Sequence, residues 1–130
     1  MDTKTLLFIS KGGTNAAIAA LFVRAANKEG VEAFAAYTDP QLNELDGTVA
    51  TILAEDGLDL TEVTPLFLGD DLTKYATHII NLSTNVESDK PTYHWEMATT
   101  DGRDIPQIRQ MLEELRWEIK GLLEELTHPH

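Results

Sequence analysis

The stretch from Thr5 to Ala20, TLLFISKGGTNAAIAA, constrains the chain more than any other. A short apolar run that ends in a turn signal fits a strand buried on both faces of a parallel sheet. Lys11, Gly12 and Gly13 form the turn, and Thr14 or Asn15 can cap a helix that runs through Lys28 and stops at Gly30. Ile18, Leu21, Phe22 and Ala25 mark its inner face. A strand, a glycine turn and a helix start in that order bring several backbone N–H groups to one point, which suits an anion. The candidate ligand-binding residues are therefore Ser10, Lys11, Gly12, Gly13, Thr14 and Asn15, with the Lys11 ammonium and the Thr14 hydroxyl added to the amides. The alternative is that the two glycines only permit a tight strand-to-helix turn.

Further along, Val31 to Tyr37 reads as a second strand, and Thr38-Asp39-Pro40 as a turn. A helix is predicted from Gln41 to Glu55 on the spacing of Leu42, Leu45, Val49, Ile52 and Leu53, weakened at Gly47 by about 1 kcal/mol relative to alanine. Leu58 to Leu68 has little period and reads as a connector, with a short helical turn from Gly69-Asp70-Asp71 toward Tyr75. Thr77 to Ser83 is a third strand, TNVESDKP an exposed loop, and Tyr93 to Ala98 a short fourth strand. From Asp104 to Leu126, Ile105, Ile108, Leu112, Leu115, Ile119, Leu122 and Leu126 recur three and four apart, the pattern of an amphipathic helix.

This order predicts a single α/β domain over residues 1–127 with a frayed tail at 128–130, built on an open, mainly parallel four-stranded sheet flanked by helices. Ligands bind such sheets beyond the carboxyl ends of the strands, where Ser10 to Asn15 fall.

The chain carries 22 acidic against 10 basic residues, a formal net charge of −12. That field disfavours nucleic acid and anionic membrane surfaces as partners. The absence of cysteine excludes disulfides, thiolate metal sites and cysteine nucleophiles. The start MDTKTLLFIS lacks a basic segment feeding a long apolar stretch, which predicts a cytoplasmic protein. No metal site is predicted from the four histidines: His128 and His130 lie in the tail, and His78 and His94 fall in or beside strands. Asp70-Asp71 and Glu113-Glu114 read as solvated surface. No cofactor is called for.

The segment LLFISKGGTNAAIAALFVRAANKEGVEAFAAYT resembles the opening of the low-molecular-weight protein tyrosine phosphatases and their related arsenate reductases. That family begins with a strand, a Cys-x5-Arg-Ser loop, a helix and a second strand. LAEDGLDLTEVTPLFLGDDL is similar to its next helix end and connector, and ATHIINLS to its third strand. HWEMATTDG with the long helix after it resembles its Trp-x-x-x-Asp-Pro loop and last helix. A weaker kinship is with sugar phosphotransferase IIB subunits, which share the fold.

The resemblance implies that the family's nucleophilic cysteine corresponds to Ser10, its anion-gripping arginine to Ala16 and its general acid to Thr99, with Asp101 two residues later. A serine without an adjacent base is a poor nucleophile, alanine grips no phosphoryl group, and threonine is no general acid at neutral pH. The expectation is a catalytically inactive, phosphatase-like domain that binds a small anion weakly or acts as a protein-interaction module. The alternative is an enzyme, a hydrolase or transferase, that uses Ser10 or a carboxylate in the same pocket. Trp117 lies off the apolar stripe of the last helix, which suggests a partner or homodimer contact there, unless the TNVESDKP loop covers it. Trp95 is expected at the pocket rim.

Overall fold

Three short apolar runs, buried largely on successive residues, build the middle of the sheet. In the structure, a computed structural model that describes residues 3–42, 44–100 and 102–127, with Asp70 described by its backbone alone, these runs become β1 (Lys4–Ser10), β2 (Val31–Tyr37) and β4 (His78–Leu82). Two shorter strands, β3 (Leu66–Phe67) and β5 (Thr92–Trp95), complete a five-stranded sheet of order β3-β2-β1-β4-β5 in which every pair is parallel. The expected four strands are thus corrected to five. The extra one, β3, has only two residues and pairs through Ala36 and Tyr37, too short to impose a period on the sequence.

The helices are α1 (Gly13–Ala26), α2 (Gly47–Glu55), α3 (Asp70–Tyr75) and α4 (Ile105–Thr127). One sheet face, with Leu6, Phe8, Ala33, Ala35, Ile80 and Leu82, packs against α1, α2 and α4 in the main core. Ala16, Ala17, Ala19 and Ala20 are all buried; their small side chains let α1 lie close on the strands. The other face, with Leu7, Ile9, Ala36 and Ile79, is covered more thinly by Leu68, Leu72 and Val86 beside α3.

Several boundaries differ from expectation for local reasons. α1 ends at Ala26, because Asn27 adopts a left-handed conformation with φ 50° and its N–H returns to the Arg24 carbonyl. Gly30, at φ 79°, instead shapes the turn into β2. The predicted helix from Gln41 splits in two. Asp39 closes one 3-10 turn at Pro40–Leu42 through the Gln41 N–H, and Asp46 then caps α2 by accepting from the Thr48 N–H at 2.9 Å.

α4 opens on a reciprocal cap in which Asp104 accepts from the Gln107 N–H at 2.9 Å and Gln107 accepts from the Asp104 N–H at 3.0 Å. Ile105, placed on its apolar stripe by spacing, is exposed, whereas Ile108, Leu112, Leu115, Ile119, Leu122 and Leu123 are buried.

The outer edge of β2 is left mostly unpaired by the short β3, and Arg24 covers it. Its guanidinium donates to the Ala33 carbonyl from Nε and Nη2 and to the Glu62 carbonyl from Nη1. A charged group on an open edge discourages pairing with another chain. On the second face, the Lys90 ammonium donates to the carbonyls of Thr73, Lys74 and Ala76, satisfying the end of α3. Among the described residues no helix is long and apolar enough to cross a membrane. His128, His130 and Asp101 lie outside the described residues, as does the side chain of Asp70.

Candidate functional site

The strand order reverses direction between β1 and β4, and a crevice opens at the carboxyl ends of strands flanking such a point. Here it is a cleft of about 740 Å³. Ser10 to Gly12 with Thr14 and Asn15 form its floor, Gln41, Leu42, Glu44, Leu45 and Asp46 one wall, and Leu82, Ser83, Met97, Thr99 and Thr100 the other. Five of the six predicted ligand-binding residues line it; Gly13 is buried and does not.

Ser10 is buried, at 2% exposure. Its hydroxyl donates to the Gly12 carbonyl and accepts from the Ala16 N–H at 3.0 Å. Those two groups are the cap carbonyl and the amide four residues on, which close the first turn of an ordinary helix. The hydroxyl thus links them from inside the loop, and its proton rests on a carbonyl, which is no base. Among the described residues no carboxylate or imidazole is hydrogen-bonded to it.

α1 begins at Gly13, with Gly12 at the cap position and no side-chain cap, so Thr14 and Asn15 do not serve as caps. They reach across the cleft instead. Thr14 Oγ1 accepts from the Asp46 N–H at 3.1 Å, and Asn15 Nδ2 donates to the Ala98 carbonyl at 3.1 Å. Gly12 is needed for close approach, because a Cβ there would stand 3.2 Å from Leu42 Cβ and 3.3 Å from the Leu42 carbonyl oxygen.

Asp46 and Ser83 are the residues that sequence reading missed. Asp46 Oδ2 accepts from the Thr100 hydroxyl at 2.7 Å while Oδ1 caps α2 and the backbone N–H donates to Thr14, so one residue ties α1, α2 and the segment before α4 together. Its place at the start of a helix was the available signal, hidden by the assumption of a continuous helix from Gln41. Ser83 has φ 59°, a left-handed conformation that is costly for a non-glycine residue, and it is held there by exchanging two hydrogen bonds with the Met97 backbone. Among the described residues the cleft is lined by one ammonium, Lys11, against two carboxylates, Glu44 and Asp46.

Of the positions matched to the family's chemistry, Ser10 and Thr99 face the cleft, whereas Ala16 is fully buried in α1 and presents its backbone N–H to Ser10. Trp95 does not line the cleft; it packs on the core face, tilted against Phe8 at 6.3 Å between ring centroids. Trp117 is 70% exposed, so the TNVESDKP loop does not cover it. That loop folds on the second face through Asn81, whose Oδ1 accepts from the Val86 N–H and whose Nδ2 donates to the Val86 carbonyl. Among the described residues no three His, Asp or Glu side chains gather to hold a metal.

The chain matches no protein-family model and no curated protein. Solved structures do match. Thioredoxin-dependent arsenate reductase Cg_ArsC1' of Corynebacterium glutamicum superposes with a TM-score of 0.77 at 23% identity, over 95% of this chain and 62% of that one. This chain therefore spans less than two thirds of that reductase's length. YwlE arginine phosphatase of Geobacillus stearothermophilus gives 0.81 at 19% identity over 98% and 99% of the two chains. A low-molecular-weight protein tyrosine phosphatase of T. tengcongensis gives 0.77 at 16% identity over 95% and 99%. Element order, sheet topology and the cleft at the switch point agree with these neighbours in one conclusion: the chain has the three-layer α/β fold of the low-molecular-weight protein tyrosine phosphatases and arsenate reductases.

Proposed function

We propose that this chain is a phosphatase-fold domain that binds instead of catalysing, with the Ser10 cleft as its ligand site. The observation that carries the reading is the state of Ser10: a buried hydroxyl, bonded on both sides to its own loop, with no base beside it among the described residues. Cysteine is absent, and alanine and threonine stand where the resemblance puts the arginine and the general acid. The route through a covalent phosphoenzyme then has no nucleophile, no fixed cation on the phosphoryl group and no acid for the leaving group. Of the two carboxylates that line the cleft among the described residues, Asp46 already has both oxygens engaged, by Thr48 and Thr100.

The ligand favoured is a small oxyanion, held by the free amides at the start of α1 and by Lys11. Glu44 and Asp46 oppose it, so binding is weak, in the millimolar range or above. Hydrolysis of p-nitrophenyl phosphate tests the inactive reading: no turnover above a protein-free control is expected, and turnover abolished by Ser10→Ala would overturn it. Titrating phosphate, sulfate and arsenate against melting temperature tests the ligand. A small rise that Lys11→Ala removes and Glu44→Gln enlarges is expected. No rise up to tens of millimolar would leave the domain as a protein-contact module alone.

A further inference from the structure

Tyr93 and Trp95 lie more than twenty residues before Trp117 in sequence, yet all three aromatics meet on one groove. Tyr93 and Trp95 of β5 form one wall, Trp117 of α4 the other, and Glu118, Gly121, Leu122 and Glu125 complete it, around a volume of about 290 Å³. It shares no lining residue with the Ser10 cleft. Trp117 stands 70% exposed beside it, so its ring is open to a partner.

The floor is shaped by Gly121, one turn after Trp117. A glycine inside a helix costs about 1 kcal/mol relative to alanine, and no close packing demands it here, since a Cβ at Gly121 would meet nothing within 4 Å. What the missing side chain provides is the notch itself.

The charged groups that line the groove are both carboxylates. Glu118 and Glu125 line it, and burial, then the Glu125 carboxylate, hold the Tyr93 hydroxyl's pKa above its usual value. Lys120 lies over the Trp117 ring at 5.5 Å, but it lines the neighbouring groove beside Phe22. His78 stacks behind Tyr93 at 6.5 Å; burial, and then Lys4, hold its pKa below the usual value, so it adds no opposing charge at neutral pH. Aromatic faces beside carboxylates attract cations. A planar guanidinium stacks on such rings and gives up less hydration than an ammonium.

We propose that the groove between β5 and α4 is a recognition site for an arginine side chain presented by a basic partner protein. Its volume suits one side chain, and its open rim admits one carried on another chain. The net charge of −12 steers basic surfaces toward it. The inference rests on reading the chain as a binding domain, but it is tested apart from that reading: phosphatase turnover would sink the inactive reading and leave this site standing.

Trp95 and Trp117 are the only tryptophans in the sequence, so intrinsic fluorescence reports on this groove directly. Titration with capped Gly-Arg-Gly peptide at low salt is expected to give a saturable change with a dissociation constant of about a millimolar. Affinity should fall about fivefold in Glu118→Gln and in Trp117→Leu, where Trp95 still reports. Both substitutions are at surface positions, and far-ultraviolet circular dichroism checks that they fold. Filling the notch by Gly121→Leu should abolish the response. An equal response to the uncharged citrulline peptide, or no saturable change up to about 50 mM, would overturn the proposal. An equal response to Gly-Lys-Gly would overturn the choice of guanidinium.

Discussion

The turns that follow β1 and β4 stand side by side at the switch point, and they handle their backbone polar groups in opposite ways. After β4, one side chain closes the loop. Asn81 is fully buried, its Oδ1 accepts from the Thr84 hydroxyl at 2.7 Å and the Val86 N–H at 3.0 Å, and its Nδ2 donates to the Val86 carbonyl at 3.0 Å. After β1, the Ser10 hydroxyl engages the Ala16 amide and the Gly12 carbonyl, and the turn borders an open cleft. A saturated buried amide makes a rigid element with nothing left to offer a ligand, whereas a short hydroxyl leaves the helix start facing outward. The fold leaves the helix start after β1 facing the cleft, and after β4 it fills the inside of the turn with Asn81 while Ser83 still lines the cleft wall.

The comparison can be broken in order of effect. Asn81→Ala should be the most damaging, because it leaves the Val86 amide and carbonyl without the buried side chain that pairs both of them, at a cost of about 3 kcal/mol in urea unfolding. Ser10→Ala should cost about 1 to 2 kcal/mol, since part of its loop can be re-satisfied by water from the cleft. If the two rank the other way, the closed and open descriptions must be exchanged. Asp46→Ala removes the α2 cap and the Thr100 bond that hold the cleft walls, and about 1 kcal/mol is expected; Asp46→Asn should recover most of it.

A gentler probe lies at the other end of β4. Burial, then the charge of Lys4, lower the His78 pKa from its usual 6.5, with Glu125 acting in the opposite direction. The folded state therefore holds the ring neutral where the unfolded chain would take up a proton. Stability is expected to fall as pH drops below 6.5, and His78→Gln should flatten that slope without altering the cleft. Smallest of all, Arg109→Ala, which removes the exposed pair with Glu55 between α4 and α2, should shift stability by about 0.5 kcal/mol or less.

Much of the architecture was legible because it rests on periodicity. The buried runs of β1, β2 and β4 and the stripe of α4 are written in residue spacing, and the glycine turn at Gly12 marks the close approach of Leu42. β3 was not legible, since Leu66 and Phe67 are exposed edge residues held by pairing alone. Nor was the broken helix at 41–55: Leu42 and Leu45 have helical spacing, yet they line the cleft while Asp46 begins α2 anew. The resemblance marked Ser10 and Thr99 as cleft residues, and both are, but nothing in the order of residues announced Asp46 or Ser83 beside them.

By itself the sequence determined the chemistry that is available: no cysteine anywhere, a serine at the end of β1, alanine and threonine where the resemblance calls for arginine and aspartate, and a strongly acidic surface. These are covalent facts that no folding can change. Only the tertiary structure decided how that inventory is spent. It turned the Ser10 proton onto Gly12, bridged the cleft walls through Asp46, and set Trp95 and Trp117 across one notch. Such pairings depend on which strand ends and helix faces the parallel crossovers bring together, and side chains distant in the chain meet only after the sheet has closed that distance.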